Sequence, residues 1–223
     1  MKRLLKVIAS TLLLTTSLAA SATDWYQVEL IIFANQDRTA ISEEHWPTIQ
    51  EIPENPKAAQ IQRATTEQLP FQALSDLSLK NEASRLKRSS NYRVLYHGGW
   101  IQPVYHTQTP RPVHIRAGEV LDNGMHELDG YIGVGRGRYL HFRPNIFFSQ
   151  YLNPNELNTL QSDTTNNQPI ESASAATNTI NHFPAIPEIL TINLDQARRM
   201  RSDEVHYIDH PLLGIIVKIT PSE

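Results

Sequence analysis

Apolar residues fall on alternate positions, and then on nearly every position, between residues 25 and 33. One side of an extended chain carries Tyr26, Val28, Leu30 and Ile32. Successive side chains of a strand point to opposite faces, so this alternation predicts a strand with one buried face. Ile31 and Phe33 add apolar residues on the other side. The end of this strand is therefore predicted to be buried on both faces, as in the centre of a sheet.

Further strands are predicted where β-branched and aromatic residues cluster between turn residues. These segments are residues 92–103, 113–115, 128–134, 139–148, 189–200, 205–209 and 214–219. Segments 128–134 and 139–148 flank Gly135 and Gly137 and are predicted to form a hairpin, because glycine supplies the positive φ of tight turns. The last three segments are predicted to form a meander. Gly98 and Gly99 predict a bulge or a close approach of two backbones.

Residues 74–89 have helical spacing and end in basic side chains, which suit the negative C-terminal end of a helix. Residues 34–70 are proline-rich and lack periodicity. Residues 153–185 hold too little apolar surface to offset the entropy of ordering and are predicted to be a flexible insertion. The fold class that follows is α+β: a single domain, mostly antiparallel β-sheet, with one main helix packed on it and long irregular insertions.

Residues 1–22 have the pattern of a secretory signal peptide. Three basic residues precede an apolar stretch at 7–18, and Ala20-Ser21-Ala22 matches a cleavage site. The apolar stretch is shorter than the about 20 residues that span a bilayer. We therefore predict that residues 23–223 form one exported domain without a membrane span.

Charge and cysteine content narrow the function further. Removal of the signal peptide would leave 17 Lys and Arg against 23 Asp and Glu, a formal net charge of −6. Nucleic-acid binders present basic faces, so nucleic acid is not an expected partner. The chain has no cysteine, which excludes disulfides, thiolate catalysis and thiolate metal ligands. No cofactor is predicted.

The densest group of polar side chains is at residues 198–211, between two apolar runs. If the flanking strands pair across Ser202-Asp203, Arg198 faces Tyr207 and Arg199 faces His206. Arg198 lies an even number of positions after the apolar residues of the preceding segment, and residues at even spacing along a strand share one face. The pair of Arg198 and Tyr207 is therefore predicted to lie on the core side. Buried charges need partners, so Arg198, Tyr207 and Asp209 are predicted to form a structural network. Arg199, Arg201 and His206 then face outward, as ligand-binding residues or as solvated surface.

A metal site or hydrolase centre around Glu204, His206 and His210 is the enzymatic alternative. Residues four apart on a strand lie roughly 13 Å from each other, at about 3.3 Å per residue. That separation is too long for one zinc ion. The sequence also lacks a Gly-x-Ser-x-Gly elbow, a His-Glu-x-x-His pair and a phosphate-binding loop. We therefore predict no catalytic residues and no metal ligands.

Aromatic residues near arginines favour carbohydrate or carboxylate binding. Trp100 and Tyr139 fall in predicted strands, and Arg138 adjoins Tyr139. Flat rings suit sugars and guanidinium forks suit carboxylates, although either aromatic could instead belong to the core. The complete set of predicted ligand-binding residues is Arg199, Arg201, His206, Arg138, Tyr139 and Trp100.

Four motifs in this order resemble the CsiV-type peptidoglycan-binding family of the Gram-negative periplasm. They are Trp25-Tyr26-Gln27-Val28-Glu29-Leu30-Ile31-Ile32-Phe33, Leu95-Tyr96-His97-Gly98-Gly99-Trp100-Ile101-Gln102-Pro103, Arg138-Tyr139-Leu140-His141, and the stretch from Arg198-Arg199-Met200-Arg201 to His206-Tyr207-Ile208-Asp209-His210-Pro211. The resemblance covers essentially the whole chain after the signal peptide, apart from residues 34–70 and 153–185.

This resemblance implies a non-enzymatic periplasmic protein that binds peptidoglycan and supports wall assembly and cell shape. It also implies a protein partner, an outer-membrane lipoprotein activator of a bifunctional penicillin-binding protein. The competing hypothesis is a periplasmic protein–protein interaction scaffold of the wall-synthesis machinery. In that case the partner site would lie in residues 34–70 or 153–185.

Overall fold

The computed structural model describes residues 24–47, 49, 51–67, 69–105, 110–166 and 188–222, with the side chains of 161–166 excepted. The predicted signal peptide lies outside the described residues, as does the predicted insertion from residue 167 onward. No helix in the described ranges has both the length and the apolar character needed to cross a membrane.

The elements follow one another in the order β1 (Asp24–Asn35), α1 (Thr39–Glu43), β2 (Ala59–Gln60), β3 (Gln72–Ala73), α2 (Lys80–Arg88), β4 (Tyr92–Val104), β5 (Val113–Val120), β6 (His126–Arg136), β7 (Leu140–Tyr151), α3 (Pro154–Asn166), β8 (Ile189–Asp195), β9 (Arg198–Met200), β10 (Val205–Ile208) and β11 (Leu213–Pro221). Strands dominate and few residues are helical, which confirms the α+β fold class with a sheet-dominated architecture.

The strands form two sheets. In the first sheet the order is β10-β11-β1-β4-β3, and every neighbouring pair is antiparallel. In the second the order is β2-β5-β6-β7-β8, with β9 also paired to β7, and only the short β2–β5 pair is parallel. The predicted hairpin is confirmed, because β6 and β7 pair from Leu128↔Phe148 to Arg136↔Leu140. The positive φ predicted for Gly135 and Gly137 is not found, since the described glycines with a positive φ are Gly118, Gly124 and Gly130.

The inner faces of the two sheets share one hydrophobic core. Leu30 of β1, Trp100 of β4 and Phe142 of β7 are completely buried in it. A smaller cluster lies on the opposite face of the first sheet, where Ile31 and Phe33 pack against Leu79 and α2. The prediction that β1 is buried on both faces is therefore confirmed.

The helix α2 is shorter than the predicted 74–89, because the chain before it is bound to the sheet. Leu74 N–H donates to the Gly99 carbonyl (2.9 Å). The Glu29 carboxylate accepts hydrogen bonds from the N–H groups of Ser78 (2.7 Å) and Leu79 (2.8 Å). A Cβ on Gly99 would lie 2.6 Å from the Val28 carbonyl oxygen, which confirms the predicted close approach of two backbones.

The first part of the predicted flexible insertion is instead the helix α3, so the prediction is wrong there. Asn153 Oδ1 accepts from the Glu156 N–H (2.9 Å), and Glu156 Oε2 accepts from the Asn153 N–H (2.8 Å). This reciprocal capping box satisfies backbone donors of the first turn. The Arg38 guanidinium also binds Glu156. A helix with few apolar residues is thus held by polar contacts, which hydrophobic periodicity does not detect.

The predicted C-terminal meander is also wrong. Strands β8 and β9 pair with β7 in the second sheet, whereas β10 pairs with β11 in the first. Residues 201–204 therefore carry the chain from one sheet to the other, and β9 and β10 do not pair across them.

Candidate functional site

The end of the second sheet where β6 turns into β7 brings three predicted ligand-binding residues together. The Arg199 guanidinium carbon lies over the Tyr139 ring, 4.5 Å from its centroid. The Arg138 guanidinium carbon lies over the same ring at 5.7 Å. All three side chains are exposed. We call Arg138, Tyr139 and Arg199 the arginine–tyrosine cluster.

Local structure fixes the position of this cluster. The Gly137 N–H donates to the Tyr139 carbonyl (3.0 Å), which closes the turn on which Arg138 lies. The strand β9 is only three residues long, but Met200 pairs with Leu140 and both side chains are buried. Arg199 immediately precedes Met200, so it points to the other face of the sheet, where it pairs with His141. The buried pair therefore holds Arg199 over the turn.

The cations of the cluster differ from several other arginines in having no acidic partner among the described residues. Several arginines bind carboxylates, in the pairs Arg38–Glu156, Arg93–Glu127, Arg116–Asp129, Arg136–Asp24 and Arg201–Glu204. Within the described ranges, Arg138 and Arg199 have no carboxylate within 4.0 Å. Two guanidinium groups that lie over one ring, with no counter-ion among the described residues, can bind an anionic ligand.

Arg201 and His206 lie close together at the connection between the two sheets. The Arg201 N–H donates to His206 Nε2 (3.5 Å), and the Arg201 guanidinium is 3.5 Å from the Glu204 carboxylate. His206 pairs with Val217, a core residue, and is largely covered. It therefore faces the core side of β10, and the prediction that it faces outward is wrong. Its contacts organise the turn.

The predicted network of Arg198, Tyr207 and Asp209 exists only in part. The Tyr207 hydroxyl donates to Asp209 Oδ1 (2.6 Å), and the Tyr207 ring stacks on Phe33 (centroids 6.2 Å apart). Partial burial, and then the Asp209 carboxylate, raise the pKa of Tyr207. Arg198 is exposed in the other sheet, where it pairs with Phe142. The prediction failed because it assumed a hairpin between β9 and β10.

Trp100 is not at the surface. Its side chain is fully buried between the sheets, and its indole N–H donates to Gln102 Oε1 (2.7 Å). This placement removes Trp100 from the ligand-binding residues and makes it part of the core.

The residues of the predicted metal alternative do not converge. His206 Nε2 is 3.8 Å from Glu204, but His210 packs against Trp46 and accepts a hydrogen bond from the Leu212 N–H (3.2 Å). In the part of the chain that the structure describes, no group of three or more His, Asp or Glu residues could hold a metal ion.

A polar network on the outer face of the second sheet was missed by sequence reasoning. Asp129 is buried and binds His114 Nε2 (2.6 Å) and Arg116 Nε (2.7 Å). The His114 ring stacks on Tyr131, with the centroids 4.8 Å apart. The sequence feature that could have revealed this network is Asp129 inside the apolar run of residues 128–134, since a buried carboxylate requires partners. A cleft of about 550 Å³ adjoins the network.

Comparison with known proteins gives one result. The sequence model of the CsiV family, described as peptidoglycan-binding protein, matches residues 4–222. No curated protein and no solved structure matches the chain. The family match covers nearly the whole chain and agrees with the four motifs quoted above. The chain therefore belongs to the CsiV family of peptidoglycan-binding proteins.

Proposed function

We propose that residues 23–223 form a non-enzymatic periplasmic domain that binds peptidoglycan through the arginine–tyrosine cluster. In this role it supports wall assembly and cell shape. The family description supports the ligand. The main observation in favour of this site is that two guanidinium groups lie over Tyr139 and that neither has a described acidic partner. Peptidoglycan carries free carboxylates, which guanidinium groups bind strongly.

Export by a cleaved signal peptide and a protein partner are further parts of this proposal. The partner would be an outer-membrane lipoprotein activator of a bifunctional penicillin-binding protein. Both parts rest on the sequence pattern and on the family resemblance.

Co-sedimentation of the exported domain with purified sacculi at moderate salt tests the ligand. We expect the wild-type protein in the pellet, and its absence there would refute peptidoglycan binding. Incubation with sacculi should release no muropeptides, and release would refute the non-enzymatic role.

Paired variants test the site. R138Q with R199Q should weaken binding by roughly tenfold or more, because two charge-assisted contacts are lost. R85Q with R88Q removes the same charge from exposed positions of α2 and should leave binding unchanged. Equal binding by all the variants would refute the site.

A protein–protein scaffold is the second candidate, and one observation favours it. Tyr92, Val205 and Tyr207 are exposed on the first sheet, and β10 is an edge strand. Exposed apolar groups beside a free edge suit a protein partner. V205E with Y207S should then abolish partner recruitment and leave sacculus binding intact. Recruitment by this variant at the wild-type level would refute the role of this face.

A further inference from the structure

We infer that the arginine–tyrosine cluster recognises carboxylates of the stem peptides, and that Tyr139 orients the arginines rather than stacking on sugar. This inference rests on the proposed function, since it names the part of peptidoglycan that the same site takes. Four observations support it: the contacts of both arginines with the Tyr139 ring, the lack of a carboxylate near either cation among the described residues, the shape of the guanidinium group and the burial of Trp100.

The Tyr139 ring already has contacts. Two guanidinium carbons lie over it, at 4.5 Å for Arg199 and 5.7 Å for Arg138. A sugar that stacked on the covered part of the ring would have to displace a guanidinium group and lose a cation–π contact. Trp100, the other predicted sugar platform, is fully buried.

The guanidinium groups remain open at their edges. A guanidinium that lies over a ring still directs its N–H groups outward in its own plane, in a fork that fits a carboxylate. The negative face of the Tyr139 ring also attracts each cation electrostatically, at 4.5 Å for Arg199 and 5.7 Å for Arg138. Two such cations on one ring suit a ligand with two or more negative charges.

Stem peptides carry such charges and the glycan largely does not. Each uncrosslinked stem peptide ends in free carboxylates and has others along its length. The lactyl carboxyl of the glycan is consumed by the amide bond to the stem peptide. A cluster that binds only anions would therefore select the peptide part of the polymer.

An exposed aromatic residue nearby provides the opposing explanation. Tyr105 is 59% exposed, and its carbonyl accepts a hydrogen bond from the Arg136 N–H (3.2 Å) at the end of β6. If glycan stacking governed binding, Tyr105 would be the platform. Y105A and R138Q/R199Q therefore separate the two explanations.

Titration of the exported domain with soluble ligands tests the inference. We expect binding of a free stem tetrapeptide that weakens with added salt. The same peptide with amidated carboxyls should bind at least about tenfold more weakly, the effect of losing one strong charged contact. Peptide-free chitin oligosaccharides should not bind. Equal binding of the amidated peptide, or binding of the oligosaccharide alone, would overturn the inference.

Variants complete the test. R138Q/R199Q should abolish tetrapeptide binding, whereas Y105A should not change it. Y139F keeps the ring and should bind as the wild type does, whereas Y139A should weaken binding because the arginines lose their support. Loss with Y105A and retention with R138Q/R199Q would contradict the inference.

Two further controls distinguish a carboxylate ligand from a phosphate ligand, and binding of the stem peptide from binding of peptidoglycan as a whole. Vesicles of phosphatidylglycerol present phosphate instead of carboxylate and serve as the alternative anionic ligand. If vesicles bind through the two arginines and the peptide does not, the ligand class is wrong. If sacculi pellet the wild-type protein but the tetrapeptide does not bind, this inference fails and peptidoglycan binding stands. If sacculi do not pellet it, the proposed function itself fails.

Discussion

Arg38 binds Glu156 through two hydrogen bonds of 2.7 Å each, and this pair joins the start of α1 to the first turn of α3. The same guanidinium donates to Gln150 Oε1 (2.6 Å) and to the Tyr151 carbonyl (2.8 Å). Glu156 is buried and also caps α3. The Arg38–Glu156 pair thus connects two helices and, through the guanidinium group, the end of β7.

Replacement of this carboxylate should destabilise the protein. E156Q removes the ion pair and weakens the capping box, so we expect a loss of about 1–3 kcal/mol of unfolding free energy. Urea denaturation followed by circular dichroism measures it. E43Q, at an exposed position of α1, is the control and should change stability by less than about 0.5 kcal/mol. Equal effects of the two variants would show that the pair contributes nothing.

Acid should destabilise the fold through Glu29. Burial alone would raise the pKa of this carboxyl, but hydrogen bonds from Ser78, Leu79 and His97 outweigh burial and lower it below 4.5. The unfolded chain then binds more protons than the native one, so stability falls as pH drops from 4.5 through the lower native value. E29Q should cost about 2 kcal/mol at pH 7 and show a shallower loss in acid. An unchanged acid slope in E29Q would contradict this assignment.

A second pH dependence should come from His210. Burial lowers the pKa of this imidazole below 6.5, although Glu44 and Asp209 act in the opposite direction. The unfolded state takes up the proton first, so unfolding free energy should fall as pH drops from 6.5 towards the native value. H210N keeps an acceptor for the Leu212 N–H but does not titrate. It should lose this part of the pH dependence in urea titrations, and an unaltered profile would refute the prediction.

Gly99 should not tolerate a side chain. A Cβ there would lie 2.6 Å from the Val28 carbonyl oxygen and 2.8 Å from the Leu74 side chain. G99A forces these groups apart and should cost about 1–3 kcal/mol, as overpacking does in other cores. G137A is the control, because its nearest neighbour would be 4.0 Å away. Thermal unfolding of the two variants should differ by several degrees, and similar midpoints would contradict the packing argument.

Met200 should determine the position of Arg199. M200A removes the buried contact with Leu140 that fixes β9, so sacculus binding should fall although no cation is lost. The expected loss of stability is about 2–5 kcal/mol, whereas M200L should cost less than about 1.5 kcal/mol. Co-sedimentation at a temperature where both variants remain folded measures the binding. Wild-type binding by folded M200A would show that β9 does not position the site.

The sequence predicted the elements whose burial follows a simple period. The double-sided apolar pattern of residues 25–33 identified β1, and the apolar segments on either side of residues 135–138 identified the hairpin of β6 and β7. Gly135 and Gly137 do not adopt the positive φ that was expected of them. It did not predict which sheet each strand joins. A short polar turn at Ser202-Asp203 fits a hairpin, yet Asp203 has a positive φ of 65° and its N–H donates to the Ile219 carbonyl (2.9 Å). That contact directs the chain to the other sheet.

The sequence predicted part of the candidate site, but the strand pairing from which Arg199 was assigned to the surface differs from the pairing in the structure. Arg199 was assigned outward by a pairing with His206 that does not occur, and its actual neighbour on the adjacent strand is His141. Arg138 and Tyr139 were selected for their side-chain chemistry, and the pairing of β9 with β7 brings them to Arg199. Such contacts between strands that are distant in sequence leave no periodic pattern in the local sequence, so they could not be predicted from it.

The pairing of β1 with β11 has a consequence for the order of folding. The strand nearest the N-terminus lies between β11 and β4 at the centre of the first sheet. Before residue 221 has been synthesised, β1 lacks one of its two neighbours along its length. Closing so long a loop is entropically costly and slow. A nascent chain therefore cannot complete this sheet until β11, the last strand along the chain, has left the ribosome.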